Sequence, residues 1–226
     1  MPAEPPKEPK GFMQEIGSAA AFCPDTAMAA PENTARRPVL LVHGLKDDAR
    51  KMEPMARYLR SQGWAVCTLS LRPSWGQLGL EALAQQVAAE ADRRFAPGQK
   101  FDLVAFSMGG LVSRYYLQRL GGLDRVGRFI TLSTPHHGTW LAYLIPNAGC
   151  RQMRPGSAFL KDLASDEARL KQVRFTSFWT PFDLIIIPSR SSEVNGARNL
   201  KKWIALHPLM VWQTRCLQAL AAELRE

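Results

Sequence analysis

The sequence has few features of a membrane, metal-binding or disulfide-stapled protein. Its four cysteines, at positions 23, 67, 150 and 216, lie far apart and form no CxxC pair, so neither a zinc site nor a disulfide framework is expected. No uncharged apolar stretch approaches the roughly 18 residues of a membrane-spanning helix. The sequence therefore predicts buried free thiols and no metal site, in one folded domain of ordinary size.

The N-terminus also lacks a pattern typical of a secretion signal. Gln14 and Glu15 interrupt the only apolar candidate, so we expect a cytoplasmic protein unless a signal has been removed. Six prolines fall within residues 1–36, with several charged residues among the first ten. This composition predicts a Pro-rich, partly disordered extension over residues 1–36 and a catalytic domain over residues 37–226.

Acidic residues are fewer than basic ones, which leaves a formal charge of +9. The basic residues are spread along the chain without a dense block interleaved with aromatic residues, so no nucleic-acid partner is expected. A basic surface can attract an anionic lipid interface, which makes transient contact with lipid one interpretation and an ordinary solvated surface the other.

Apolar runs and helical periodicities alternate along the chain. Buried-type runs predict strands, and apolar residues repeating every three or four positions, closed by Gly or Pro, predict helices between them. The predicted strands are 38–42, 64–71, 101–106, 128–132, 173–178 and 199–205. This order predicts an α/β fold with a mostly parallel sheet of about six strands and helices on both faces.

Ser107 lies at the junction between a predicted strand and a predicted helix. It is followed by Gly109 and Gly110 and preceded by the small Ala105. Small neighbours allow the sharp turn that holds a serine hydroxyl above a sheet, as in the nucleophile elbow of hydrolases. The motif therefore predicts a nucleophilic serine.

A serine nucleophile needs a base and an acid, which in hydrolases of this type follow it in the order acid, then histidine. Of the four histidines, only His207 comes late, after the last predicted strand. Asp183 directly follows the fifth predicted strand and its turn, whereas the other carboxylates precede a strand or lie in helix-like or loop segments. We therefore predict Ser107, Asp183 and His207 as a catalytic triad.

The oxyanion of an acyl-transfer reaction needs fixed N–H donors. The backbone N–H groups of Met108, after the nucleophile, and of Leu45, after the first strand, are the candidates. We expect His43 to be a structural hydrogen-bonding residue. We expect His136 and His137 to brace the wall of the site.

Three motifs in order resemble the bacterial class 2 lipase and esterase family, which includes relatives of the GPI inositol-deacylases. They are VLLVHG at 39–44, AFSMGG at 105–110 and TLSTPHHGT at 131–139. The resemblance covers residues 37–223. It implies an α/β-hydrolase fold and a cofactor-free ester hydrolase that works through an acyl-enzyme, with the triad and oxyanion donors named above. Two departures are Phe106, where the family usually has histidine, and Pro208 after His207.

The resemblance leaves several functions open. Carboxylic ester hydrolysis, in an esterase or lipase acting on apolar acyl esters, is the first. An acyltransferase or a thioesterase with the same triad is the second, and a non-catalytic binding protein of the same fold is the third. A lid of such lipases would fall within residues 140–172, and we expect it to be minimal or absent. Trp75, Trp140 and Leu141 are the candidates for lining the substrate cleft.

Overall fold

The computed structural model describes residues 36–226. The predicted extension therefore lies, except for Arg36, outside the described residues. The fold is built around one six-stranded sheet, and every pair of neighbouring strands is parallel. Its strands are β1 Val39–Val42, β2 Val66–Leu69, β3 Phe101–Phe106, β4 Val126–Leu132, β5 Arg174–Trp179 and β6 Arg198–Lys201, in the spatial order β2-β1-β3-β4-β5-β6. The predicted α/β architecture is confirmed.

Within residues 36–226, six α-helices connect or follow the strands. They are α1 Glu53–Ser61, α2 Leu80–Arg94, α3 Met108–Arg119, α4 Ala148–Gln152, α5 Ala158–Ser165 and α6 Thr214–Arg225. Helices α2 and α3 pack together on one face of the sheet, and α1 and α6 pack on the other. Within the described part of the chain, no helix is long and apolar enough to cross a membrane.

The strands are buried on both faces, which explains their nearly continuous apolar sequences. In β1, Leu40 and Val42 enter the core beneath α2 and α3, whereas Val39 and Leu41 enter the core beneath α1 and α6. This alternation follows from the two-residue period of side chains along a strand. The predicted strand boundaries differ from the observed ones mainly at β2 and β6, where flanking apolar residues lie outside the hydrogen-bonded segment.

The connection between β4 and β5 contains the segment in which a lid would fall. Here α5 buries Phe159, Leu160 and Leu163 in the core on the α3 side of the sheet. The fully buried Arg114 of α3 donates to the carbonyl of Leu163 at 2.8 Å. These contacts make α5 a part of the core.

Candidate active site

Ser107 sits at the carboxyl end of β3, directly before α3, with φ 54° and ψ −126°. Positive φ is uncommon for a residue with a Cβ, and it is held here by tight packing of the surrounding chain. A Cβ on Gly44 would lie 2.9 Å from the Cβ of Ser107, and one on Gly109 would collide with the carbonyl of His43. The glycines therefore allow the sharp turn that the sequence motif predicts.

Asp183 and His207 meet at the same edge of the sheet. Asp183 lies in the turn after β5, and His207 begins a 3₁₀ turn after β6. The Nδ1 of His207 and the Oδ2 of Asp183 are 2.8 Å apart, and both side chains are buried. Because Nδ1 faces a carboxylate, it carries the proton, and Nε2 is left with the lone pair.

The second oxygen of Asp183 is fixed by the backbone. Its Oδ1 accepts hydrogen bonds from the N–H groups of Ile185 and Ile186, each at 2.9 Å. Burial raises the pKa of Asp183, but the hydrogen bond and charge of His207 and the N–H of Ile186 outweigh burial, so the net pKa lies below the ordinary aspartate value. The carboxylate is therefore held both in orientation and in its charged form.

Phe106 forms the floor beneath the imidazole. Its ring centroid lies 4.7 Å from that of His207, at an angle of 40°. Phe106, the residue directly before Ser107, thus packs against the imidazole of His207. Such a contact restricts the rotation of the imidazole without adding a second titratable group.

A cavity of about 330 Å³ joins the predicted site residues. This volume is at the lower end of the range for small-molecule sites. Ser107, His207, Leu45 and Met108 all line it. The rest of the wall is mainly apolar, with Leu141, Ala142, Ile145, Cys150, Met153, Ile185 and Ile186 among its residues. The cavity thus brings the predicted nucleophile and the predicted base together with a surface suited to a hydrocarbon chain.

The two proposed oxyanion donors come from the loops after β1 and β3. Within residues 36–226, neither the N–H of Leu45 nor that of Met108 has a backbone or side-chain acceptor. The N–H of Met108 is also the first of α3, where the helix dipole favours negative charge. Two unpartnered N–H groups at the wall of one cavity are the arrangement that a developing oxyanion requires.

His43 holds the loop that carries Leu45. The N–H of Leu71 donates to its Nε2 at 2.9 Å, and its Nδ1 lies 2.8 Å from the carbonyl of Gly44. An N–H donor can pair only with an unprotonated nitrogen, so the proton of the neutral ring is on Nδ1. Burial lowers the pKa of His43, against the opposing effects of the Gly44 carbonyl and Asp47. These contacts agree with a structural function for His43.

The two histidines after β4 lie outside the cavity wall. His136 is buried and its Nε2 lies 3.1 Å from the hydroxyl of Thr131, while its ring contacts Phe175 edge-on. Burial lowers the pKa of His136 well below its ordinary value. His137 is exposed, and its Nε2 lies 3.0 Å from the carbonyl of Glu193. Both histidines contact the chain around the site, and neither lines the cavity.

The structure separates the three residues predicted to line the substrate cleft. Leu141 lines the cavity. Trp75 and Trp140 do not, and their side chains are 57% and 59% exposed. The ammonium of Lys46 lies 4.9 Å from the ring centroid of Trp75. The ring of Trp140 stacks on that of Tyr143. Both tryptophans belong to the protein surface around the site.

Several residues that the sequence reasoning missed border the cavity. Lys46, Asp47 and Lys51 line it from the loop after β1. Burial raises the pKa of Asp47, with Lys51 and His43 opposing this effect. Ile185 and Ile186 combine an apolar wall with backbone donors to Asp183. These two isoleucines could have been predicted from their position directly after Asp183, because residues that follow the carboxyl end of a parallel strand lie beside the site.

Comparison with known proteins shows which family this chain matches in sequence. A family model described as palmitoyl protein thioesterase matches residues 38–183. The lysosomal thioesterase PPT2 of Bos taurus is 32% identical over 137 residues, which cover 54% of this chain and 43% of the relative. Palmitoyl-protein thioesterase 3 of Dictyostelium discoideum is 29% identical over 121 residues, 50% of this chain and 40% of the relative. The chain thus matches less than half the length of these curated relatives.

Solved structures resemble the whole domain. The mature Bacillus licheniformis lipase BlEst2 superposes with a TM-score of 0.74 at 19% identity, covering 87% of this chain and 95% of that one. Aspergillus fumigatus lipase B gives a TM-score of 0.71 at 19% identity, covering 82% of this chain and 51% of that one. These similarities establish the α/β-hydrolase fold.

The comparisons also change two expectations. The expected resemblance to class 2 lipases is confirmed only at the level of the fold, which this chain shares with lipases. The family model that matches is that of the palmitoyl protein thioesterases. The expected cytoplasmic location is wrong, because the bovine and human relatives are lysosomal thioesterases. That expectation rested only on the lack of a recognisable signal pattern near the N-terminus.

Proposed function

Because this chain belongs to the palmitoyl protein thioesterase family and is a hydrolase of the α/β-hydrolase fold, we propose that it cleaves acyl thioesters and carboxylic esters with Ser107 as nucleophile. The observation that carries the proposal is the 2.8 Å contact between His207 and Asp183, at the wall of the cavity that Ser107 also lines. The curated thioesterases are matched over less than half of their length, so the substrate is part of the proposal.

In the first half of the reaction, the hydroxyl of Ser107 attacks the acyl carbonyl as its proton moves to Nε2 of His207. Asp183 keeps the other ring nitrogen protonated and stabilises the imidazolium. The N–H groups of Leu45 and Met108 bind the oxyanion of the tetrahedral intermediate. As this intermediate collapses, the bond to the leaving group breaks, and His207 returns the proton to the departing sulfur or oxygen.

In the second half, water replaces the leaving group. His207 takes a proton from the water as its oxygen attacks the acyl-enzyme. As the second tetrahedral intermediate collapses to the carboxylic acid, the bond to Oγ of Ser107 breaks and His207 returns its proton to that oxygen. The apolar wall around Leu141 and Ile145 supports an acyl chain as the part of the substrate inside the cavity.

A thioester and an oxygen ester place different demands on His207. A thiol has a pKa of about 8.5, so a thiolate leaves with little protonation, whereas an alkoxide needs its proton during departure. We therefore expect faster hydrolysis of a thioester than of the alkyl ester with the same acyl chain. The family match favours the thioester as the natural bond.

The direct test compares palmitoyl-CoA, with a thiol reagent to detect the product, and p-nitrophenyl esters from acetyl to palmitoyl. Wild type is measured beside Ser107→Ala, and both are treated with a fluorophosphonate probe. We expect turnover and labelling by wild type only. Turnover that persists in Ser107→Ala contradicts the proposed nucleophile. Wild type that neither turns over nor labels supports a binding protein, and transfer to an added alcohol in preference to water supports an acyltransferase.

A further inference from the structure

The exposed large hydrophobic side chains of residues 36–226 are concentrated at one edge of the sheet. All twelve lie in segments that follow the carboxyl ends of β2, β4, β5 or β6. Trp75 follows β2, Leu144 follows β4, Leu184 follows β5, and Trp203 and Trp212 follow β6. Parallel strands end at the same edge, so these side chains surround the cavity. We refer to this set of loops as the apolar rim.

Hydrogen bonds and ring contacts make the apolar rim continuous. The amide of Asn147 donates to the carbonyl of Trp75 at 2.7 Å, which joins the loops after β4 and β2. The N–H of Trp140 donates to the carbonyl of Ile187 at 2.9 Å, which joins the loops after β4 and β5. Phe182 and Trp203 have ring centroids 5.7 Å apart, across the loops after β5 and β6.

Basic side chains lie on the aromatic rings of this rim. The ammonium of Lys46 is 4.9 Å from the ring centroid of Trp75, and that of Lys51 is 4.9 Å from that of Trp212. Lys201 lies 5.1 Å from the ring of Trp203. Lys46 and Lys51 also line the cavity, together with the single carboxylate of Asp47, so a net positive charge extends to its mouth. The face therefore presents hydrocarbon and positive charge together.

We propose that the apolar rim docks the protein onto an anionic lipid surface, with the mouth of the cavity facing the lipid. Tryptophan rings are stable at a membrane interface, and lysines beside them attract anionic headgroups. The net charge of +9 adds a long-range attraction between the protein and an anionic lipid surface. A second copy of this chain fits less well, because a two-fold contact through this face would bring two sets of these lysines into one interface.

The inference deepens the proposed function, because docking would let an acyl chain pass from the lipid layer into the cavity beside Ser107. Binding can nevertheless be measured without turnover. The full-length protein is sedimented with vesicles of phosphatidylcholine alone and of phosphatidylcholine with phosphatidylglycerol, at low and high salt. We expect binding to the anionic vesicles that is weakened by salt, and that is unchanged in Ser107→Ala.

Matched variants separate charge from apolar contact. Lys201→Gln removes a charge on the rim, and Lys100→Gln removes one directly before β3, at the opposite edge of the sheet. We expect Lys201→Gln to weaken partitioning onto the vesicles about fivefold. We expect no change in partitioning for Lys100→Gln. Leu144→Ser, at a side chain that is 77% exposed, should weaken partitioning by about tenfold. Hydrolysis of a soluble short-chain ester should remain at the wild-type rate in all three.

Three results would overturn the docking proposal. The first is that the protein does not sediment with anionic vesicles. The second is that Lys201→Gln and Lys100→Gln weaken vesicle binding equally. The third is that light scattering shows a dimer, which Leu144→Ser converts to a monomer. Vesicle binding by a protein that hydrolyses no ester or thioester would refute the proposed function and leave the docking surface standing.

Discussion

Replacing Asp183 by asparagine tests the proposed triad with almost no change in shape. The Oδ1 of Asp183 accepts from the N–H groups of both Ile185 and Ile186, so the amide oxygen of the asparagine must occupy that position. The amide NH₂ then faces Nδ1 of His207, where Oδ2 now lies at 2.8 Å. A donor facing Nδ1 forces the proton of the ring onto Nε2, which can no longer accept one from Ser107.

The expected loss follows from this change of tautomer. The equivalent replacement in a serine protease triad lowers kcat by about ten-thousandfold, or roughly 5 kcal/mol of transition-state stabilisation. We expect a similar loss of kcat/KM on p-nitrophenyl butyrate, a substrate that needs no lipid interface. The thermal midpoint should change little at neutral pH, because both backbone hydrogen bonds to position 183 are retained.

Asp47→Asn provides the matched control. Asp47 is a half-buried carboxylate that lines the same cavity and has no direct contact with His207, so removing its charge acts only through a screened field. We expect less than about a tenfold change in kcat/KM. If Asp183→Asn keeps more than a tenth of wild-type activity, or if Asp47→Asn loses as much as Asp183→Asn, then Asp183 is not the residue that orients the base.

Three further predictions concern packing, chain length and pH. Gly110→Ala should destabilise the fold by about 1–3 kcal/mol in urea unfolding, because its Cβ would collide with the side chain of Thr134; an unchanged midpoint would contradict this packing. Leu141→Trp should move the best p-nitrophenyl ester to a shorter acyl chain by filling the cavity, and an unchanged optimum would place the chain elsewhere. Burial lowers the pKa values of His43 and His136, so below about pH 6.5 the unfolded chain binds protons at these histidines that the folded protein does not. The free energy of unfolding therefore decreases as the pH falls below about 6.5, by up to about 1.4 kcal/mol per pH unit for each histidine. Urea midpoints at pH 7.5 and 5.5 should show this decrease, and His136→Gln should reduce it; equal slopes would refute the contribution of His136.

Much of the candidate site could be predicted, because its signals are local or depend only on chain order. The elbow at Ser107 needs small neighbours within a few positions, and these are visible as Gly109 and Gly110. The order of Asp183 and His207 after the serine follows from strands that all end at one edge. The sequence therefore indicated which side chains would be brought together, and the structure places Asp183 and His207 2.8 Å apart.

The wall of the cavity could not be predicted in the same way. Trp75 and Leu141 both follow strand ends and both are apolar, yet Trp75 faces solvent and Leu141 faces the cavity. The direction of a loop side chain depends on contacts with other loops, such as the hydrogen bond from Lys46 N–H to the carbonyl of Ser74. Such contacts have no periodicity in the sequence.

The parallel sheet, the sharp turn at Ser107 and the order of the candidate triad can be predicted from the chain alone, because strand and helix patterns repeat every two or 3.6 residues and a sharp turn demands small residues nearby. The tautomer of His43, the contact between Asp183 and His207, and the apolar rim with its lysines are visible only in the folded structure. These features join residues from separate loops, and only packing of the whole chain determines which loops meet.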